Sequence, residues 1–395
     1  MRADPMSDVC DLCRSSALEA VYEPRGSARG LKVHLCRHCG LLQSLPRADR
    51  APRRAAAVSS GADWGNVRYG KGFRTQACLS LLRKRAQLNQ PLHVLDVGSN
   101  RGSFARAFLA AAPAAQLVCV EPDERVADSC RALQRAELVA SRIEATDFAD
   151  ECFDIVHSCH TIEHLKSPLA VLADHWRALK PGGLLLVDAP NVALVAADDI
   201  VEEWFIDKHL YHFSAATLAR LLDASGFEII DGPDPADREN LLFAARKRSF
   251  GAGLLKRDER EVESVLGLID RYTAKRARNL EALAQVAREI ASLSSKRIAL
   301  WGAGRLFDAL VLHGGFDPKA LALLIDTHLK AHVAERHGMA LSGPEALSSA
   351  DPGVIVVMSR AFASEIASIA RQRAPRAEIV FYGDLISRAR TKLAA

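Results

Sequence analysis

The sequence predicts an α/β protein built on parallel sheets, with a small cysteine-bearing module in front. Three observations predict it. From residue 91 onward, short apolar strands alternate with amphipathic helices, the pattern of βαβ units. Two of those strands run straight into glycine turns, LDVG at 95–98 and LWGAG at 300–304. Four of the nine cysteines fall within the first 39 residues.

Composition sets the outer bounds. A chain of 395 residues, 49% hydrophobic and 25% charged, has room for two or three domains and is too apolar for disorder. No apolar run approaches the roughly 18 residues of a membrane span, so no membrane role is expected. The start, MRADPMSDVC, lacks a secretory apolar stretch, and the expected setting is the cytoplasm. A net charge of +4 without a basic, aromatic-interleaved stripe points away from nucleic acid.

Residues 1–50 form the cysteine module. Residues 51–86 read as a helical arm or lid, with Trp64, Tyr69 and Phe73 ahead of a helical pattern through Ala77, Leu81 and Leu82. Residues 87–246 are the first α/β unit. LHVLDVG is a strand into a turn, SFARAFLAAAP a helix, QLVCVEPD a strand and RVADSCRALQRA a helix. FDIVHSCH, a helix over 168–179, a Pro-Gly-Gly turn at 181–183 and the strand LLLVDAP follow. A helix over 214–225 has Ser214 as N-cap and Gly226 as C-cap. GFEII and ENLLFAARK then read as an antiparallel hairpin closing the sheet. Residues 247–295 are charged, proline-free and helical, one or two connecting helices. Residues 296–395 repeat the strand–glycine–helix pattern.

Cys10-x2-Cys13 and Cys36-x2-Cys39 are two knuckles 22 residues apart. In a reducing compartment a disulfide framework is not expected. Four converging thiolates make the closed tetrahedral shell of structural zinc, with no open position for catalysis. His34 and His38 adjoin the second pair and read as surface residues.

In the first glycine turn, Asp96 ends a strand and Gly98, Ser99 and Gly102 lead into a helix, where backbone and helix dipole can meet a ligand. Glu121 ends the next strand, where a carboxylate can accept ribose hydroxyls. The bland alternative is an ordinary strand-to-helix turn.

Together with FDIV, Glu163-His164, Pro168 and LKPGGLLLVDAPN, these residues resemble the class I S-adenosylmethionine-dependent methyltransferases. CDLC…LCRHCGLLQ is similar to the zinc-binding head of the sugar C-methyltransferases, and WGAGRLFDAL…LLIDTHLKAH…SGPEAL resembles their C-terminal Rossmann-like domain. The resemblance implies a methyltransferase core between a zinc module and a second Rossmann-like, substrate-binding domain. It assigns Asp96, Gly98, Ser99 and Gly102 to the methionine side of the cofactor, and Glu121 to its ribose. Ile143 and Glu144 would bracket adenine, and His160 would face the methyl group. The implied substrate is a small molecule, a nucleotide-linked sugar, methylated at carbon or oxygen.

The family's His-Glu-His run reads Asp207-Lys208-His209 here, so only His209 matches. Histidine is the natural base near neutral pH, which makes His209 the candidate base and His212, Tyr69 and His160 the next candidates. The other reading is a capping loop whose histidines bond the backbone, with Tyr69 as a lid aromatic. His164 reads as structural. Gly302-x-Gly304, Arg305 and the strand-end Asp326 form a shortened dinucleotide-type turn. It reads as part of a nucleotide-sugar site or as scaffold.

Two further readings stay open. One is a methyltransferase acting on another small metabolite or a glycolipid head. The other is a non-catalytic zinc-containing scaffold, against which the intact Asp96/Gly98/Gly102/Glu121 set argues; an oxidoreductase using the second turn ranks behind both.

Overall fold

A computed structural model describes residues 9–25, 27, 30–47, 72–248, 255–331, 333–360 and 362–394. Tyr69 and Trp64 lie outside the described residues. The chain forms two compact units. Among the described residues, unit 1 draws on those within Met1–Ala57, Tyr69–Leu194 and Phe205–Ile269, and unit 2 on those within Val195–Trp204 and Asp270–Ala395.

Unit 1 contains two sheets. The N-terminal module supplies β1 (Leu18–Tyr22), β2 (Lys32–Cys36) and β3 (Leu42–Leu45), joined antiparallel. Its fourth strand is β9 (Tyr211–His212), from far along the chain, which pairs Leu42 with His212 and Gln43 with Tyr211. The module is therefore built into the unit. Asp11, 1% exposed, accepts from Ser167 Oγ at 2.6 Å and from the Leu169 amide at 3.0 Å. Cys10, Leu12, Cys36 and Cys39 belong to the same buried apolar cluster as Leu95, Val120 and Val187 of the larger sheet.

That larger sheet takes β4 (His93–Val97), β5 (Gln116–Val120), β6 (Ala136–Val139), β7 (Phe153–Cys159) and β8 (Leu179–Pro190) as parallel strands. β10 (Phe227–Asp231) and β11 (Asn240–Lys247) form the expected antiparallel hairpin at one edge. The order is β10-β11-β8-β7-β4-β5-β6. The chain steps from β4 outward to β6, then returns past β4 to β7. The carboxyl ends of β4 and β7 thus form a switch point, where open α/β sheets bind ligands.

The Pro-Gly-Gly at 181–183 departs from expectation. It lies inside β8 as a bulge, the partner of Phe153 being Leu179 and that of Ile155 being Leu184. Gly182 holds φ +72°, and a Cβ on Gly183 would come 2.9 Å from the Lys180 carbonyl oxygen, so the strand absorbs the extra residues without a break. The helix α5 (Ala215–Ala224), counting described helices from α1 (Gly72–Arg85) through α2 (Ser103–Ala111), α3 (Glu124–Arg131) and α4 (Pro168–Ala178), starts as predicted. Ser214 and Thr217 form a reciprocal capping box, and Gly226 at φ +85° follows its end.

The segment read as one or two connecting helices is a single helix, α6 (Glu259–Ala291). In unit 2, β12 (Ile298–Trp301) is flanked by β13 (Leu321–Ile325) and β16 (Val354–Val357), all parallel. β17 (Glu378–Phe381) lies parallel beyond β16. The stretch read as a loop before SGPEAL contains two short strands, β14 (Glu335–Arg336) and β15 (Met339–Ser342). The sheet order is β14-β15-β13-β12-β16-β17. No described helix is long and apolar enough to cross a membrane.

Candidate active site

The first glycine turn hangs from the end of β5. The amides of Gly98 and Ser99 donate to the Val120 carbonyl at 2.8 and 3.1 Å. Gly98 and Gly102 hold φ +68° and +67°, and a Cβ on Gly102 would meet Cys130 Sγ at 3.0 Å. Glycine at 102 is thus required both by the left-handed backbone and by the closeness of α3. Asn100 is also left-handed, at φ +50°, and Glu121 steadies it. One oxygen of Glu121 accepts from the Asn100 amide and the other from the Asp123 amide, each at 2.8 Å. The strand-end acid read as a ribose acceptor therefore also anchors the turn.

A small pocket opens at this turn. Arg74, Asp96, Gly98, Ser99, Phe104 and His157 are among the residues that line it. It covers the methionine side of the expected site; Glu121, Ile143, Glu144 and the candidate bases do not line it. Ile143 is buried in a short 3-10 turn, while Glu144 is ion-paired with Arg142 at 3.1 Å.

Asp96 divides its carboxylate. Oδ1 accepts from His157 Nδ1 at 2.7 Å, whereas Oδ2 is buried with no hydrogen-bond partner. A buried acceptor oxygen at a cavity wall suits an ammonium or hydroxyl donor. Burial works against charge on His157, but the neighbouring Cys78 and Asp96 outweigh it and push its pKa up to about 9. The ring stacks on Phe104, centroids 3.6 Å apart.

Sequence reasoning missed His157 as well as Arg74 and Asp188. Arg74, on the first turn of α1, donates to Asp188 at 2.5 Å and to Asp237 at 2.6 Å. Burial raises the Asp188 carboxyl to about 6 against the opposing pull of Arg74. The acidic end of LLLVDAP was the available signal, since it repeats the strand-end pattern of Asp96. Nothing local marked its partner.

Among the described candidate bases, His160 and His209 both lie near Glu163, while His212 packs in the module's sheet. His160, at φ +44°, donates its amide to the Asp188 carbonyl at 2.7 Å, and its Nε2 bonds Asn240 Oδ1 at 3.0 Å. Its imidazole is engaged with Asn240 and does not line the pocket at the glycine turn. His212 lies buried in β9, within 3.0 Å of Ser44 Oγ and edge-on to Phe205. Burial lowers its pKa to about 3. The loop reading expected a backbone partner; His212 instead bonds the Ser44 side chain, because β9 completes the module's sheet. His209 is half-buried beside His164, rings 4.9 Å apart. Burial, and then the charges of His164 and Lys208, hold it well below the ordinary histidine value. His164 is structural as expected, its Nδ1 donating to the Lys208 carbonyl at 2.7 Å. Glu163, 2% exposed, lies 3.6 Å from His164 and 3.8 Å from His160. Glu163, His164 and His209 form one group within 4.8 Å.

The four cysteines converge. Sγ atoms of Cys10 and Cys39, and of Cys13 and Cys36, are 3.5 Å apart, and all four lie within 4.8 Å of one another. A tetrahedron with zinc–sulfur bonds of about 2.3 Å has edges of roughly 3.8 Å, so the quartet has the dimensions of a four-thiolate zinc shell. Gly40 follows at φ +78°.

The parallel sheet, its antiparallel edge hairpin and the acid–glycine turn at the switch point define the Rossmann-like fold of the class I methyltransferases. Residues 70–231 match the family described as a methyltransferase domain. A probable S-adenosylmethionine-dependent methyltransferase of Mycolicibacterium smegmatis is 29% identical over 140 residues, 35% of this chain and 52% of that protein. The ubiquinone/menaquinone biosynthesis C-methyltransferase of Dinoroseobacter shibae is 28% identical over 173 residues, 38% of this chain and 69% of that one. The chain thus spans about half the length of the first relative. An S-adenosylmethionine-dependent methyltransferase structure from Mesorhizobium loti aligns with TM-score 0.36 and 18% identity, over 42% of this chain and 96% of that one.

Proposed function

We propose that the chain is an S-adenosylmethionine-dependent methyltransferase acting on a sugar, in nucleotide-linked form, with a structural zinc ion in its N-terminal module. The observation that carries this reading is the Asp96–Gly102 turn with its cavity and the unpartnered Asp96 Oδ2. The relatives' names support the reaction class. The order of cysteine module, methyltransferase core and second Rossmann-like unit, similar to that of the sugar C-methyltransferases, supports the acceptor.

The bound cofactor would supply a methyl group on a sulfonium, open to in-line attack. Asp96 Oδ2 would accept from its ammonium group, and Glu121 would accept from the ribose. The acceptor oxygen or carbon gains the methyl group and loses a proton, which His209 would take. Neutral imidazole is the form a base requires; burial holds His209 in that form but weakens its hold on a proton, so the site must favour the charged ring as the acceptor proton is transferred. Cys10, Cys13, Cys36 and Cys39 would hold zinc and brace the module that pairs through β9 with the segment just after His209.

Purified protein incubated with methyl-labelled cofactor and a panel of nucleotide-linked sugars tests this reading. Label appearing in one of those sugars is the expected result. Cofactor binding with transfer only to non-sugar metabolites would overturn the sugar acceptor, and absence of cofactor binding would overturn the whole reading.

A further inference from the structure

The second glycine turn lies at a switch point of its own. The chain leaves β12 for β13 on one side and returns to β16 on the other, so the crevice between β12 and β16 is where such a sheet takes a ligand. Two arginines guard it. Arg305 opens the helix after β12, and Arg360 stands three residues beyond β16. Both are engaged by the protein's own strap, Val195–Trp204, which carries Asp198, Asp199, Glu202 and Glu203.

Arg360 donates to the Asp199 carboxylate, to the Asp199 carbonyl at 2.7 Å and to both oxygens of Glu202 at 2.7 and 3.2 Å, while its guanidinium lies over the Tyr382 ring. Arg305 donates to the Glu203 carbonyl. From α6, Lys275 reaches the Ala196 carbonyl at 2.7 Å, Asn279 those of Asp198 and Ile200 at 2.8 and 2.9 Å, and Arg276 that of Val201 at 3.0 Å. Val201 is fully buried in the core of unit 2. Backbone carbonyls of an irregular segment need such partners when buried. Here side chains supply them at Ala196, Asp198, Asp199, Ile200, Val201 and Glu203, as a protein does for a bound peptide. The strand-end Asp326 is also committed: its oxygens accept from the amides of Ala303 at 3.1 Å and Leu329 at 2.9 Å. As Glu121 does in the first unit, this strand-end acid ties the glycine turn to the loop after the next strand.

We infer that the C-terminal unit is a clamp whose ligand is the acidic strap 195–204 of the same chain, bound at the switch point in the place of a nucleotide. Its basic side chains match the strap's carboxylates, and its crevice takes no dinucleotide or nucleoside diphosphate. This inference does not need the methyl-transfer reading, but it removes the C-terminal crevice as the place where a nucleotide-linked acceptor is held.

Hydrogen exchange of the full chain read by mass spectrometry, with ADP, UDP and NAD as separate additions, tests it. In the wild type, residues 195–204 should be protected and none of the three nucleotides should protect residues 302–305. Arg360→Ala should speed exchange of the strap by about tenfold or more while β12 and β16 keep theirs. The strap-side variant Asp199→Asn/Glu202→Gln should do the same, and it leaves Arg305, Arg360 and the sheet of the unit unchanged. A wild-type strap that exchanges like free peptide, full strap protection in both variants, or protection of 302–305 by any of the nucleotides would each overturn the inference.

Discussion

Replacing Glu121 separates what this acid does for the fold from what it does for a ligand. Its two oxygens accept from the Asn100 and Asp123 amides, both at 2.8 Å, and the residue is 6% exposed. Glu121→Ala strands the buried Asn100 amide in a left-handed turn. A hydrogen bond to a charged acceptor contributes about 1.5–3 kcal/mol when buried, and the half-buried Asp123 bond about 1 kcal/mol, giving about 3 kcal/mol in all. For a unit of this size that is roughly 6–12 °C in melting temperature. Glu121→Gln keeps the shape and one acceptor, so it should lose about half as much. If the carboxylate also holds the ribose, both variants should bind S-adenosylmethionine about tenfold or more weakly by calorimetry at a temperature where they are folded. An Ala variant melting within a degree or two of wild type would refute the anchoring argument. Unchanged cofactor affinity in a folded Gln variant would remove the ribose role and leave the anchor.

Three other outcomes are expected. His209→Asn cannot take a proton at neutral pH, so turnover should fall about 10²–10⁴-fold with cofactor affinity near wild type; full turnover in this variant would place the base elsewhere. Cys36→Ser should drop bound zinc well below one per chain and expose the N-terminal module to proteolysis, because metal binding and folding are coupled in such modules; metal analysis that finds no zinc in the wild type removes the site. Acid should weaken unit 1 through His212 and His175, whose pKa values burial lowers to about 3 and about 4. The unfolded chain protonates both near 6.5 and the folded chain does not, so their stabilisation is complete above about pH 6.5. It is lost as pH falls toward 4 and then 3, by several kcal/mol in order of magnitude. Urea midpoints measured from pH 7 to 4 should fall steeply in wild type and less steeply in His212→Asn; parallel curves would contradict this origin.

Much of the molecule was legible along the chain. The alternation of strands and helices, the two glycine turns, the capping box at Ser214 and the cysteine spacing are local patterns, each set by backbone sterics or periodicity within a few residues. They were enough for the α/β class, the acid–glycine turn and the convergent quartet. They were not enough for the partners. Asp96 meets His157 from 61 positions away, Ser44 meets His212 from 168 and Asp199 meets Arg360 from 161. Those pairings decide that His212 packs a sheet, that His160 is engaged with Asn240, and that Arg305 and Asp326 serve the protein's own chain. Strand-end acids looked alike in sequence because a strand end and a glycine turn are local facts. Whether such an acid faces a ligand, an amide or an arginine depends on which distant segment the topology brings to it, and only the folded structure decides that.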